Sequence, residues 1–234
     1  MSLRSVYDSE TLMILGKPPR THFDEILEGI AVEGGSESWE AVHRLDYETS
    51  GLICFAKKKH VEQYRTLFKT VGAISKQYLA FSANSLEGLS CGQLRECRGY
   101  IASRYRASKK TRYLDDDSTA KKFHSFRPAW HQVQALGALS IQPDWQCELK
   151  QIFAYRVFLE TGARHQIRSY FSAQNAALLG DSLYGGVAAP RLGLHAERLV
   201  FNCPLSQEPI DVKLGWPEPN AFIESAEFPD IDRG

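Results

Sequence analysis

The chain has 234 residues, 43% of them hydrophobic and 24% charged, which is the balance of a folded domain and not of a disordered, collagen-like or coiled-coil chain. Lys and Arg number 28, as do Asp and Glu. A strongly basic nucleic-acid coat and an acidic tail protein are therefore disfavoured, although a local basic face can still steer a polyanion.

In chain order, Leu12–Leu15 is a short apolar run of strand length, ended by Gly16-Lys17-Pro18-Pro19. The two prolines force an extended turn there. Thr21 is expected to cap a helix with Asp24 and Glu25 in its first turn. Phe23, Ile26, Leu27 and Ile30 form one apolar helical stripe, which Gly34-Gly35 ends. His43 to Ser50 is a polar stretch that reads as a loop. After Gly51 the continuous apolar run Leu52–Ala56 predicts a buried strand. Val61, Tyr64, Leu67, Phe68 and Val71 recur at helical spacing, and Gly72 stops that helix. Gln77–Phe81 is the next strand.

Residues 82–150 are less regular. From Arg95 to Arg112 there are seven Arg and Lys against one acid, Glu96. Tyr100, Tyr105 and Tyr113 are interleaved or adjacent, and Asp115-Asp116-Asp117 follow at once. Ile152–Glu160 predicts a strand and Thr161-Gly162 a turn. Ile167, Tyr170 and Phe171 lie at helical spacing, and Leu199–Phe201 and Ile210–Leu214 are late strands. The length predicts one domain over residues 1–217. An acidic tail with five acids and one Arg follows over 218–234.

No apolar run reaches the roughly 18 residues of a membrane helix. The N-terminus lacks the basic start and apolar core of a secretory signal, and no Asn-x-Ser/Thr acceptor occurs. The cysteines Cys54, Cys91, Cys97, Cys147 and Cys203 are irregularly spaced and have no metal-ligand pattern. A cytoplasmic protein without membrane association is the expectation.

Three polar clusters stand between apolar elements. The first, His43-Arg44-Leu45-Asp46-Tyr47-Glu48-Thr49-Ser50-Gly51, reads either as a reactive loop on a rigid scaffold or as a polar turn closing a hairpin. The second, Arg164-His165-Gln166-Ile167-Arg168, follows a turn, and its Arg can pair with a carboxylate elsewhere. The third, Gly180-Asp181-Ser182-Leu183-Tyr184-Gly185-Gly186, lacks the spacing of a phosphate or dinucleotide loop and reads as a tight structural turn.

Together these blocks resemble the RluA-type family of RNA pseudouridine synthases. The first cluster is similar to the family's His-Arg-Leu-Asp-x-x-Thr-Ser-Gly signature, and Lys76-Gln77-Tyr78-Leu79-Ala80 to its Lys-x-Tyr-x-Ala strand. Thr161–Arg168, Leu179–Gly186 and Leu194-His195-Ala196 follow in the family's order. Two departures stand out. Lys17-Pro18-Pro19-Arg20 replaces Lys-Pro-x-Gly, and Ala163-Arg164 displaces the family's Arg by one place.

The resemblance implies an α+β fold: a mixed, largely antiparallel sheet flanked by helices, with a central catalytic cleft. It also implies isomerisation of a specific uridine in structured RNA, ribosomal or transfer, without metal, nucleotide or redox cofactor. Asp46 is implied as the catalytic carboxylate, Arg168 as the cation that keeps it charged and oriented, and Tyr78 as the ring stacked on the uracil. Arg44 is the candidate for stacking or binding phosphate where the base flips out, with Arg164 and His165 as secondary RNA contacts. His43 is assigned mostly to structure. A His43–Asp46 metal pair is disfavoured by the adjacent Arg44 and the lack of a third ligand.

Residues 90–130, with Arg104 and Arg106, are the candidate basic insert that contacts RNA, a solvated charged loop being the equal alternative. No S4-type RNA-binding module is expected ahead of His43, and a monomer is expected. Two rival functions remain open at this point: a catalytically silent RNA-binding protein of the same fold, and a glycoside or nucleoside hydrolase using Asp46 and Glu48.

Overall fold

The computed structural model describes residues 4–33, 38–105, 108–140 and 149–216. Strand β1 (Arg4–Asp8) pairs with β2 (Leu12–Lys17), helix α1 spans Phe23–Glu33, and the short β3 (Trp39–Ala41) leads towards β4 (Ser50–Lys57). Helix α2 (Val61–Lys69) and β5 (Ser75–Ser82) follow. Next come β6 (Leu94–Ser103), β7 (Arg112–Leu114), the single turn α3 (Asp117–Ala120), β8 (Ser125–Ser140) and β9 (Gln151–Leu159). Helix α4 (Gln166–Ala173), β10 (Leu194–Asn202) and β11 (Pro209–Lys213) complete the described chain.

The strands form one eleven-stranded sheet in the order β1-β2-β4-β10-β5-β9-β8-β6-β7, with β3 on β4 and β11 on β10. It is mixed and largely antiparallel, as the family resemblance implies. Among the described residues the one parallel contact joins β4 to the start of β10, Ser50 opposite His195 and Gly51 opposite Ala196. Among the described residues the two largest apolar clusters lie along the sheet. In one, Ile167, Tyr170 and Phe171 of α4 pack on Tyr78, Val133 and Val157. In the other, Val61, Tyr64 and Phe68 of α2 pack on Leu52, Cys54, Leu199 and Phe201. Helix α1 places Ile26 and Ile30 on Leu15, Ile53 and Phe55, the stripe its spacing predicts. Among the described residues no helix is long and apolar enough to cross a membrane.

Three local expectations need correction. Thr21 does not cap α1. Its hydroxyl donates to the Pro19 carbonyl at 3.4 Å, while the Glu25 carboxylate accepts from the His22 backbone N–H at 3.3 Å. Arg20, at φ +56°, turns the chain so that Thr21 faces the proline turn. Helix α2 ends at Lys69, so Val71 lies beyond it and is half exposed. The irregular 82–150 region holds the longest strand among the described residues, the 16-residue β8, which pairs with β6 and β9. Gly34-Gly35, Cys147, Arg106 and the acidic tail lie outside the described residues.

Candidate active site

The polar loop between β3 and β4 is held from beneath by Lys17. Its Nζ donates to the carbonyls of Pro18 at 3.0 Å, Tyr47 at 2.9 Å and Thr49 at 2.7 Å, which uses all three ammonium protons. Burial lowers its pKa to about 8, only partly offset by Asp46 and Glu48. The Arg20 N–H donates to Tyr47 O at 2.9 Å and the Thr49 N–H to Asp46 O at 3.0 Å, so the loop backbone is closed on itself and on the proline turn. Arg20 adopts the positive φ where the family pattern has glycine, and its Nε reaches Glu48 Oε2 at 3.1 Å.

Asp46 stands at the centre of a charged cluster. Arg168, on the first turn of α4, places Nη1 at 3.4 Å from Asp46 Oδ2. Its Nε and Nη2 grip both oxygens of the fully buried Asp181, at 2.7 and 2.8 Å. Burial alone would lower the Arg168 pKa; the two carboxylates outweigh it and the pKa is raised. His165, at φ +55°, turns Nε2 to 3.8 Å from Asp46 Oδ1, while its Nδ1 hydrogen-bonds the Tyr184 hydroxyl at 3.1 Å. Burial lowers the His165 pKa despite the pull of Asp46. The turn into α4 is stitched by Gln166, whose Oε1 accepts from Thr161 Oγ1 at 3.1 Å and Ala163 N–H at 3.0 Å.

These groups open on a cleft of about 470 Å³ lined by Arg44, Asp46, Thr49, Tyr78, Leu159 and Leu194 together with residues 162–163 and 165–168. Tyr78 forms part of an apolar wall with Leu159 and Leu194, and burial, with Asp46 adding, raises its hydroxyl pKa. The Thr49 hydroxyl is buried beside this wall with no hydrogen-bond partner among the described residues. A carboxylate a quarter exposed, a charged guanidinium and a flat apolar wall suit a reaction at a sugar carbon with a planar base alongside.

The cleft thus brings together Asp46, Tyr78, Arg168, Arg44 and His165. Arg164 turns elsewhere, donating to the carbonyls of Ser108 and, at 2.7 Å, Lys109. Arg104 is exposed, away from the cleft lining. His43 is partly buried, its Nε2 accepting from the Cys54 N–H at 3.2 Å and its ring stacked on Phe68; desolvation lowers its pKa to about 3. Glu48 is paired with Arg20 and does not line the cleft.

Sequence reasoning missed Lys17, Asp181 and Tyr184 as parts of the site. Asp181 sits in the block read as a tight turn, and tight it is: Gly180 has φ +69°. An acid fixed in such a turn, in a chain with a buried-helix Arg, was the available signal for the Arg168–Asp181 pair.

Residues 27–173 match the protein family described as RNA pseudouridylate synthase. The chain is 27% identical over 189 residues to tRNA pseudouridine synthase C of Pasteurella multocida, covering 74% of this chain and 71% of that protein. It is 28% identical over 201 residues to ribosomal large subunit pseudouridine synthase D of Xanthomonas campestris, covering 79% and 54%. Among solved structures, the human RNA pseudouridylate synthase domain containing 1 protein superposes with a TM-score of 0.74 at 20% identity, over 92% of this chain and 84% of that one.

Proposed function

Given that this chain belongs to the RNA pseudouridylate synthase family, and is an isomerase of RNA uridines, we propose that it converts a specific uridine of structured ribosomal or transfer RNA to pseudouridine with Asp46 as the catalytic carboxylate. The reaction breaks the N1–C1′ bond, turns the uracil, and joins C5 to C1′. The proton lost from C5 balances the one gained at N1, and no other group enters or leaves.

Asp46 acts on the sugar face, as a nucleophile at C1′ or as a base at C2′. Arg168 keeps it charged and aimed, and Asp181 keeps Arg168 in place. Tyr78 carries the uracil on its ring. Arg44, at the rim, fills or braces the gap left by the flipped nucleotide, whose extrusion costs a few kcal/mol.

The observation that carries this reading is the Asp46–Arg168–Asp181 chain on the floor of an open, apolar-walled cleft. A hydrolase would need a second carboxylate to activate water, and Glu48 is engaged by Arg20 at 3.1 Å. The test is to deplete the protein from its cell and map pseudouridines across ribosomal and transfer RNA. Loss of one site or a small set, restored by the unaltered gene but not by Asp46→Asn, is the expected outcome. An unchanged map, or restoration by Asp46→Asn, would reject the proposal.

A further inference from the structure

We propose that Lys109 and Lys110 form a phosphate-binding rim on the catalytic cleft, gripping the RNA backbone beside the target uridine; this rests on the RNA-modifying reading above. The seven cations between Arg95 and Arg112 are not equivalent. Arg95 donates to the Glu87 carbonyl. Arg98 lies 5.3 Å over the Trp130 ring and 3.8 Å from Glu96. It shares the exposed face of β6 and β8, opposite the face where Cys97 and His131 are buried against Tyr170. Those two are spoken for on another side of the sheet.

The segment Ser108–Thr111, by contrast, is fastened to the wall of the site. Arg164 donates to the carbonyls of Ser108 and Lys109. The Thr111 N–H donates to the Tyr184 hydroxyl at 2.9 Å, and the Thr111 hydroxyl donates to the Arg164 carbonyl at 3.3 Å. Tyr184 in turn holds His165, which faces Asp46. Only two side chains, Tyr184 and His165, separate this strap from the reacting carboxylate.

Charge then identifies the occupant. Lys110 Nζ lies 4.9 Å from the centroid of the Tyr184 ring, which also carries the Arg168 guanidinium at 5.3 Å. Arg168 is matched by Asp46 and Asp181. Lys110 and its exposed neighbour Lys109 form no ion pair among the described residues, both acids beside the ring being held by Arg168, so two ammonium groups stand at this edge without a carboxylate of their own. A nucleotide flipped towards Asp46 brings its own phosphodiesters to this edge, and a phosphate there supplies the missing negative charge.

The test uses the whole protein and a fluorescent 15-residue oligouridylate as probe, with affinity measured across a salt series. Each lost phosphate contact on a single strand reduces the slope of log affinity against log salt by about 0.7. Lys109→Ala/Lys110→Ala should therefore flatten the slope by about 1.4 and weaken binding at low salt. Lys58→Ala/Lys69→Ala, which removes two exposed charges elsewhere, should leave the slope unchanged. An unaltered slope in the first variant, or an equal change in the second, overturns the rim. Asp46→Asn separates the two proposals. If it abolishes pseudouridine formation while the lysine variant binds normally, the reaction stands and the rim falls. If it retains product formation while the lysine variant loses its slope, the rim stands and the reaction assignment falls. Failure of the unaltered protein to bind the probe rejects the rim.

Discussion

Arg168 keeps its charge in a buried place because two carboxylates share it, and they do so unequally. Asp181 takes the short two-point contact, and Asp46, partly open to solvent, takes the longer one. Asp181 therefore carries the cost of burying the guanidinium and leaves Asp46 oriented but accessible. Removing one member of a buried pair costs about 3–5 kcal/mol. Asp181→Asn is accordingly expected to lower unfolding stability by about 3 kcal/mol and to reduce turnover. Asp211→Asn, at the exposed pair with Arg198, should change stability by less than about 1 kcal/mol. Urea unfolding of both variants checks this, and equal effects would contradict it.

Lys17 gives a pH signature at the same scale. Its folded pKa of about 8 lies below the usual 10.5. Between those values the unfolded chain holds the proton that the folded chain releases, so this group makes stability rise with pH across the window. The neutral amine keeps only two N–H bonds for three carbonyls, so the 46–49 loop loosens and activity falls over the same range. Lys17→Met should erase both trends, as urea midpoints and turnover measured from pH 7.5 to 9.5 would show. Asp46 and Arg168 were legible because they lie in ordered motif blocks. Asp181 and Lys17 were not, because their work is a contact made across 13 and about 30 residues, which no local pattern encodes.

At the scale of elements, the site depends on the one junction where β4 meets β10 in parallel. Gly51 makes that approach possible. It takes φ +114°, and a Cβ there would stand on the Ala196 backbone. Gly51→Ala should therefore separate the two strands and give a protein that is insoluble or unfolds at clearly lower urea. A variant with an unchanged midpoint and activity would show that the junction tolerates a side chain. The helices and inner strands were readable because they carry clean apolar periods. The β6–β8 pair was not. Pro128 interrupts its strand pattern, and the structure tolerates it because that end of β8 pairs with β6 alone. Gly137, at φ +116°, adds a bulge that shifts the alternation.

Across the whole molecule, neutrality in sum hides a sorting of charge, with Asp46 and Asp181 gathered on Arg168 and Lys109 and Lys110 exposed with no ion pair among the described residues. It also hides three desolvated imidazoles, two of them buried and His43 partly so. Burial holds His43 at about pKa 3 and His131 and His195 at about 4, each below the usual 6.5. The unfolded chain binds these protons as pH falls below about 6.5, and the folded chain does not until near its own values. Stability must drop as pH falls through that range. Urea midpoints at pH 7.5 and 5.0 test this. The lower pH should give the lower midpoint, and equal midpoints would mean that the three rings are not buried neutral.

The central claim, that Asp46 carries out uridine isomerisation, is tested most directly by tritium release. RNA labelled with [5-³H]uridine and taken from cells lacking the protein is incubated with the unaltered enzyme and with Asp46→Asn. The account predicts release that levels off at a fixed small number of uridines per molecule for the first. It predicts none for the second, although that variant still binds the RNA. Release by Asp46→Asn at the unaltered rate, or none from either protein on any cellular RNA, would contradict it.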